Sequence, residues 1–343
     1  MTFESLDLDD NPFQVIVLRG TFNIIPDAPL KPDPDQKRVV TADEFYGEPT
    51  TSSMRFENDL APFKPRSDIV INAIAHAPGG KPSRQWDVAV QVGKLQKRLT
   101  VTGPRYWKHH AISGWELAKP ESCTQTLIRY EHAFGGGWLH KDKSGVYEKN
   151  PVGSGFVNKR FADKKKLIPA PRIMSPADPA PKLGGTYKPQ GFSAIGKSWL
   201  PRRKYGGTYD ERWLKERSPK LPKDFDFLYY NCAHPDLIYD GYLRGDEVVV
   251  LKNLHKRRPF LQFYLPNFQV SAAITDHDAY RYAALGNLDT LYLDVEESQA
   301  FLVWRITLPI YEDGIKRIEA RLKQPSDKIK HEPMATNGRR ALA

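Results

Sequence analysis

Residues 46–80, YGEPTTSSMRFENDLAPFKPRSDIVINAIAHAPGG, contain the segment that best predicts the fold of this chain. Pro62 and Pro65 keep the backbone ahead of this segment extended and prevent a helix there. In the run DIVINAIAHA, apolar residues occupy both faces of an extended chain, which is typical of a strand covered on both sides. The following Pro78-Gly79-Gly80 favours a turn. We therefore predict a buried framework strand over residues 69–76.

Further strands are predicted wherever β-branched and aromatic residues alternate with polar ones or form short apolar runs. They cover residues 12–25, 86–92, 99–101, 124–134, 224–233, 245–254, 259–266 and 268–274, with a hairpin over 288–308. Helical spacing and capping residues predict helices over 209–218 and 314–324. The predicted fold class is mainly β, with antiparallel sandwich- or barrel-like sheets, a few short helices and a long irregular Gly/Pro-rich insertion.

Composition divides the chain into four parts. Residues 1–135 are predicted to form an N-terminal β meander half, and residues 222–322 a C-terminal β half with the closing helix. Between them, residues 136–221 hold 11 Gly and 9 Pro together with several aromatic residues. This composition predicts an ordered, irregular insertion that packs on the β framework or on a partner. Residues 323–343 are predicted to be a disordered tail, and the two β halves to form one compact unit.

Several long motifs, in order along the chain, resemble one bacterial family. They are VIVLRGTF at 15–22, SSMRFENDLAPFKPRSDIVINAIAHAPGGKP at 52–82, VTGPRYW at 101–107, RYEHAFGG at 129–136, NPVGSGF at 150–156, GGTYDERWLKER at 206–217, LPKDFD at 221–226 and LDTLYLDVEESQAFLVWR at 288–305. On these motifs the chain resembles the domain-of-unknown-function family 2169. The resemblance implies a protein of a type VI secretion locus. Some members serve as adaptors or chaperones that load a toxin effector onto the secretion spike, so the resemblance implies a partner effector encoded nearby and a spike or spike-tip protein.

The positive charge of the chain is concentrated in its middle third. The net charge is +10, and residues 136–221 contribute 19 Lys and Arg against 7 Asp and Glu, a local balance of +12. Such a region favours an acidic protein surface or another polyanion, and a solvated loop region is the alternative. Within it we assign a candidate partner-binding group: Trp199, Arg202, Arg203, Lys204 and Trp213.

One match in this region carries a chemical hypothesis of its own. The segment GFSAIGKS fits the phosphate-binding pattern GxxxxGK[ST] through Gly191, Gly196, Lys197 and Ser198. That chemistry requires a buried strand before the loop and a helix that starts at the lysine. Proline-rich sequence upstream and a proline shortly downstream exclude both. We therefore interpret the match as false and predict no cofactor.

No pattern of reactive side chains predicts a catalytic or metal site. Cys123 and Cys232 are too few for a disulfide framework or a cysteine-based zinc site. His109–His110 and Glu131–His132 are adjacent pairs, whose side chains point to opposite faces of a strand and do not converge on a metal. Asp210–Glu211 fit helix capping better than glycoside hydrolysis. We predict a non-enzymatic protein without a bound metal.

The sequence also predicts a cytoplasmic protein without a membrane partner. No apolar run reaches the roughly 20 residues that span a bilayer, and residues 1–10 lack the features of a signal peptide. Together with the resemblance, this gives the hypothesis of a non-catalytic adaptor or chaperone that binds the N-terminal segment of a toxin effector. Two alternatives stay open: a nucleic-acid- or polyanion-binding protein that uses residues 136–221, and an enzyme with an unrecognised site. The lack of a known nucleic-acid-binding motif disfavours a nucleic-acid partner.

Overall fold

The regular structure of the protein consists mostly of strands. The computed structural model describes residues 1–310 and 314–323. The strands before residue 80 are β1 (Thr2–Leu6), β2 (Pro12–Asn23), β3 (Lys31–Pro32), β4 (Glu44–Phe45), β5 (Met54–Phe56), β6 (Asp68–Asn72) and β7 (Ile74–His76). Those up to residue 180 are β8 (Gln85–Val92), β9 (Leu95–Thr102), β10 (Tyr106–His110), β11 (Gly114–Leu117), β12 (Gln125–Leu127), β13 (Phe134–Gly135), β14 (Gly137–His140), β15 (Lys143–Val146), β16 (Ser154–Gly155), β17 (Ile168–Pro169) and β18 (Ile173–Met174).

Two short helices, α1 (Leu200–Arg203) and α2 (Glu211–Glu216), precede the remaining strands of the described chain. These strands are β19 (Val248–Lys252), β20 (Phe260–Tyr264), β21 (Gln269–Asp276), β22 (Arg281–Leu285), β23 (Asn287–Asp294), β24 (Gln299–Pro309) and β25 (Ile315–Lys323). Short 3₁₀ helices lie at Pro78–Gly80, Tyr130–His132, Phe227–Tyr230 and Pro235–Leu237. Over the described ranges, no helix has the length and apolar character that crossing a membrane requires.

Two sheets form the framework. The first has the order β1-β2-β24-β23-β6, with β3 alongside β2, and the second has the order β18-β9-β8-β19-β20. Neighbouring strands in both are antiparallel, except that β6 runs parallel to β23. A third, smaller sheet has the order β22-β21-β25. None of the sheets formed by the described residues closes on itself. The prediction of a mainly β fold with antiparallel sheets and few short helices is confirmed.

One apolar cluster joins the two framework sheets. Ile69 and Leu291 of the first sheet are fully buried in the same cluster as Val88, Leu99 and Phe263 of the second. Removing each such side chain from water stabilises the fold by about 1.5–3 kcal/mol. The core therefore draws on strands from both ends of the chain.

The predicted framework strand is confirmed, with one interruption. All five residues of β6 are buried, as a strand covered on both faces requires. After Ala73 the chain leaves the first sheet, and β7 pairs with β12 instead. The hairpin β8-β9 turns at Gly93, whose φ of +53° glycine adopts without strain. The hairpin predicted over 288–308 is confirmed as β23 and β24.

The predicted closing helix over residues 314–324 is wrong, because Ile315–Lys323 form the edge strand β25. Ile318 and Leu322 fit helical spacing, but together with Ala320 they also occupy every second position. In the pairing with β21, Ile318 lies opposite the buried Ile274. The unpaired edge of β21 therefore decides between two periodicities that the sequence supports equally.

Other segments also differ from the predictions. Residues 224–233 contain a 3₁₀ helix in place of a strand, because the Asp226 side chain accepts a hydrogen bond from the Leu228 backbone nitrogen at 2.8 Å and caps it. The strand predicted over 124–134 is broken into β12 and β13 by the intervening 3₁₀ helix. Strand β1 is an addition, since no strand is predicted in the first ten residues.

Strands from both predicted β halves share the framework sheets. β2 pairs with β24, and β8 pairs with β19. Residues 136–221 contain short strands and the two helices, and Phe192 and Trp199 within them are buried in the core cluster. The helix predicted over 209–218 is confirmed as α2. The boundaries at residues 135 and 221 stay a prediction, and residues 324–343 of the predicted tail lie outside the described residues.

Candidate functional site

The candidate partner-binding residues divide into a buried and an exposed group. Arg202 and Trp199 are only 2% and 7% exposed, so their side chains belong to the interior. Arg203 and Lys204, at the end of α1, are exposed, and Trp213 on α2 is half-exposed. The structure therefore does not bring the five residues together on one surface. In this conformation only Arg203, Lys204 and Trp213 are accessible to a partner.

Arg202 is the centre of a buried ion-pair network. Its guanidinium donates to Glu57 Oε1 at 2.7 Å and to two backbone carbonyl oxygens at 2.8 Å. Lys197 Nζ lies 3.3 Å from the same Glu57 oxygen and 3.1 Å from both carboxylate oxygens of Asp43. Burial acts to lower the pKa of Arg202, but nearby acidic groups, chiefly the Glu57 carboxylate, together outweigh it and raise that pKa above its usual value. The network fixes the residues around α1 to the stretch that contains Glu57.

The phosphate-loop-like segment has a geometry unlike that of a nucleotide site. The last strand before Gly191 is β18, and an irregular segment separates the two. The helix that follows, α1, has four residues and begins at Leu200 rather than at Lys197. Lys197 itself is bound to carboxylates, as described above. A Cβ atom added at Gly196 would lie 2.9 Å from the indole nitrogen of Trp199, so this glycine permits close packing.

The histidine pairs do not converge with other ligands on a metal, and no group of metal-binding side chains occurs in the described part of the chain. The His109 ring packs edge-on against Trp115, at 5.2 Å between ring centroids. Glu131 accepts a hydrogen bond from the Ser53 backbone nitrogen at 2.8 Å. Burial, together with the nearby Arg172 guanidinium, lowers the pKa of His132 to about 4. This ring is therefore neutral at pH 7.

The stretch from Met54 to Asp68 lies against the first sheet and is held there by charged residues. Its ion pairs join Arg55 to Asp294 at 3.0 Å, Glu57 to Arg202 at 2.7 Å, Asp59 to Arg19 at 3.0 Å and Lys64 to Asp68 at 2.8 Å. Asp68 is fully buried and also accepts hydrogen bonds from the backbone nitrogens of Cys232 and Ala233. These charges therefore have a structural role, because each is paired with an opposite charge of the same protein.

Partly exposed aromatic side chains occur in two neighbouring segments, residues 205–213 and residues 227–230. We define the aromatic patch as Tyr205, Tyr209, Trp213, Phe227, Tyr229 and Tyr230. Tyr209 is 55% exposed, and the other five are half-exposed. Ring centroids lie 4.6 Å apart between Tyr209 and Trp213 and 5.6 Å apart between Tyr229 and Tyr230. Beneath them, the buried Phe225 contacts Phe227, Tyr229 and Tyr230 at 5.4–5.6 Å.

Hydrogen bonds hold the two segments of the aromatic patch together. The backbone nitrogen of Asp226 donates to the carbonyl oxygen of Tyr205 at 2.9 Å. The Asp224 carboxylate accepts hydrogen bonds from the Thr208 backbone nitrogen and hydroxyl. On α2, the Asp210 side chain accepts a hydrogen bond from the Trp213 backbone nitrogen at 2.8 Å and caps the helix. The patch is thus built on fixed backbone rather than on a free loop.

The charge around the patch is unevenly compensated. Arg217 and Lys220 pair with Asp10 at 3.1 and 3.2 Å, so acidic residues near the start of the chain neutralise part of the basic insertion. Arg203 pairs with Glu148 at 2.9 Å on the surface. Lys204 makes no ion pair in the described part of the chain, and its Nζ lies 4.5 Å from the centroid of the Tyr205 ring. Free positive charge therefore remains directly beside the aromatic patch.

Sequence reasoning missed the half of the patch that residues 227–230 provide. These residues read FLYY and are predicted there as part of a strand, in which alternate side chains point to opposite faces. The 3₁₀ helix instead turns Phe227, Tyr229 and Tyr230 so that all three rings contact Phe225. Asp226, a capping residue directly before the aromatic run, could have indicated this 3₁₀ helix from the sequence.

Comparison with known proteins bears on the same residues. A family model described as an uncharacterized protein conserved in bacteria (DUF2169) matches residues 9–305. The chain belongs to DUF2169. The matched range of this DUF2169 protein contains both the aromatic patch and the ion-paired stretch from Met54 to Asp68. No curated protein and no solved structure matches the chain.

Proposed function

We propose that this DUF2169 protein is a non-catalytic type VI secretion adaptor or chaperone. It binds a cognate toxin effector, by the effector's N-terminal segment, and helps to load it onto the secretion spike or spike-tip protein in the cytoplasm. The role follows the family resemblance of the sequence motifs. The observation that supports it is the aromatic patch, a fixed group of partly exposed aromatic side chains with an uncompensated cation beside it.

The composition of the patch is that of a protein-binding surface. Tyr, Trp and Arg are the residue types that contribute most to binding energy at protein interfaces, and they do so around a rigid, well-packed centre. Phe225 provides such a centre, because it is 5% exposed and contacts three members of the patch. Several buried charges, in contrast, are paired with one another, as Glu57 and Arg202 are. This distribution favours binding over catalysis as the function.

Co-expression with each protein encoded beside its gene tests the proposal. We expect a stable complex with one large neighbour and solubilisation of that neighbour's N-terminal segment. Tyr209→Ala combined with Trp213→Ala should remove the complex while the free protein stays folded. Tyr280→Ala is the matched control, because Tyr280 is also 55% exposed but lies outside the patch.

Charge reversal beside the patch gives a second test. Arg203→Glu with Lys204→Glu should weaken the complex, and Arg202 is left intact because its loss would disturb the interior. Recovery of the protein alone from every co-expression would contradict the adaptor role. Retention of nucleic acid that high salt removes would instead favour the polyanion-binding alternative.

A further inference from the structure

The chain between Thr208 and Asp224 forms a loop whose two ends meet at a closed neck. The Asp224 carboxylate accepts hydrogen bonds from the Thr208 backbone nitrogen at 3.0 Å and from the Thr208 hydroxyl at 2.7 Å. We define the flap as residues 209–221, which carry α2 and two members of the aromatic patch. None of the flap residues is buried. The flap therefore contributes no side chain to the apolar core.

Most of the bonds that the flap makes are internal. The indole nitrogen of Trp213 donates to the carbonyl oxygen of Lys220 at 2.9 Å, and Arg212 pairs with Glu216 at 3.0 Å. In the described part of the chain, every hydrogen bond and ion pair that leaves the flap for another segment joins Arg217 or Lys220 to the turn between β1 and β2. A helix of six residues is marginal without such support, so these few contacts keep the flap in place.

The turn that receives these contacts is acidic and has a fixed shape. The Asp7 carboxylate accepts hydrogen bonds from the backbone nitrogens of Asp9 and Asn11, both at 2.8 Å. The turn joins β1 to β2 and therefore belongs to the first sheet. Separation of the two would thus move the flap rather than the turn.

Three cations converge on the turn, and we call their contacts the clasp. The Arg217 guanidinium donates to a backbone carbonyl oxygen of the turn at 2.9 Å and pairs with Asp10 at 3.1 Å. Lys220 pairs with the same Asp10 at 3.2 Å, and Lys223, at the neck, pairs with Asp9 at 3.1 Å. The side chains of both aspartates and both lysines are between 32% and 83% exposed. Salt screens pairs of this kind and each is weak, so the clasp closes the flap without locking it.

We propose that an acidic segment of a protein partner opens the flap by taking the place of Asp9 and Asp10 on the three cations. The turn shows which chemistry these cations accept, since it offers them carboxylates together with a backbone carbonyl oxygen. A polypeptide supplies both groups, which favours a protein segment over nucleic acid. Until such a segment arrives, the turn neutralises the cations beside Trp213 and acts as an internal competitor. The inference rests on the proposed function and adds the chemistry of the effector segment.

Hydrogen exchange of the flap amides, followed by mass spectrometry on the free protein at pH 7, tests the clasp. Asp9→Asn/Asp10→Asn should exchange these amides at least about fivefold faster than the wild type, because it removes the charge but keeps the size of the side chains. Raising NaCl from about 0.1 M to about 1 M should speed the exchange of the wild type and leave this variant nearly unchanged. The matched control Asp240→Asn/Asp246→Asn removes two exposed carboxylates that also pair with arginines and should exchange as the wild type does.

Chemical coupling tests the class of ligand. The probe is a synthetic peptide with the sequence of residues 5–12, SLDLDDNP, which a carbodiimide couples through its carboxylates to nearby lysine amines. In the variant with the neutralised turn, we expect coupling to Lys220 and Lys223 at least about fivefold above that to Lys164 and Lys165, which are exposed and turned toward no aspartate of this turn. Coupling should be weaker in the wild type, because its own turn competes. Single-stranded DNA of equal charge should not protect the two clasp lysines.

Each part of the inference has a result that would overturn it. Equal exchange of the flap amides in the wild type and in the variant with the neutralised turn would overturn the clasp. Uniform coupling of the peptide to all exposed lysines, or protection of Lys220 and Lys223 by DNA, would overturn the acidic protein segment as the ligand. Both experiments use the protein without an effector, so the inference and the proposed function can fail separately.

Discussion

Asp68→Asn is expected to destabilise the protein more than its small change in volume suggests. The Asp68 carboxylate accepts hydrogen bonds from Lys64 Nζ at 2.8 Å, Asn231 Nδ2 at 3.1 Å, and the backbone nitrogens of Cys232 at 3.0 Å and Ala233 at 3.1 Å. Each carboxylate oxygen serves two of these donors. An amide keeps one such oxygen and turns an NH₂ group toward the other two donors.

The cost of Asp68→Asn can be worked from this geometry. Lys64 is only 4% exposed, and its ammonium would stay buried without its carboxylate, which costs about 3–5 kcal/mol. A buried donor that loses its acceptor adds about 1–3 kcal/mol. We therefore expect the free energy of unfolding to fall by about 4 kcal/mol or more, a large share of the roughly 5–15 kcal/mol typical of a folded domain.

Urea unfolding at pH 7, followed by circular dichroism, measures the effect. Lys64→Met alone should cost less, because the carboxylate keeps its other three donors. Adding Lys64→Met to Asp68→Asn should recover about 2 kcal/mol, since no buried charge then lacks a partner. A loss below about 1 kcal/mol in Asp68→Asn, or strictly additive losses in the double variant, would refute the reasoning.

Unfolding experiments can also test three other predictions about stability. Burial, reinforced by nearby cations, lowers the pKa values of His132 and His234 to about 4. Below pH 6.5 the unfolded chain therefore binds more protons at these two histidines than the folded protein does. Each histidine should lower the free energy of unfolding by about 2 kcal/mol on going from pH 7 to pH 5. The urea midpoint of His234→Gln should depend less on pH over this range than that of the wild type. Arg202→Met should lower the unfolding free energy by about 3–5 kcal/mol, and adding Glu57→Gln should restore part of it. Gly135→Ala should cost about 1–3 kcal/mol or more, because its Cβ atom would lie 2.2 Å from a backbone carbonyl oxygen and φ there is +156°; unchanged thermal stability would contradict this.

Strands whose own pattern of apolar and polar residues is enough to identify them were predictable from the sequence. β6 is apolar on both faces and is buried on both, and β8-β9 alternates regularly around Gly93. β25 was not predictable, because its apolar residues fit a helix and a strand equally well and the unpaired edge of β21 makes the choice. That edge is a property of the assembled fold and is not visible in the nine residues of β25.

The sequence predicted which part of the chain contains the candidate site, but not which residues form it. The density of aromatic and basic residues pointed to the insertion, and Trp213 does lie in the aromatic patch. Arg202 and Arg203 are neighbours in sequence, yet one is buried against Glu57 and the other is exposed. Only the long-range pairing of Glu57 with Arg202 distinguishes them, and composition carries no information about such a pairing.

The pairing of β2 with β24 has a consequence for how the protein is made. Residues 13–23 find their partners at residues 299–309, so the first sheet stays incomplete until nearly all of the chain has left the ribosome. At about 5–20 residues per second this interval is roughly 15–60 s. Throughout it, the apolar strand β2 presents an open edge to other nascent chains and to the folding machinery. Synthesis rate and holding factors should therefore affect the yield of this protein.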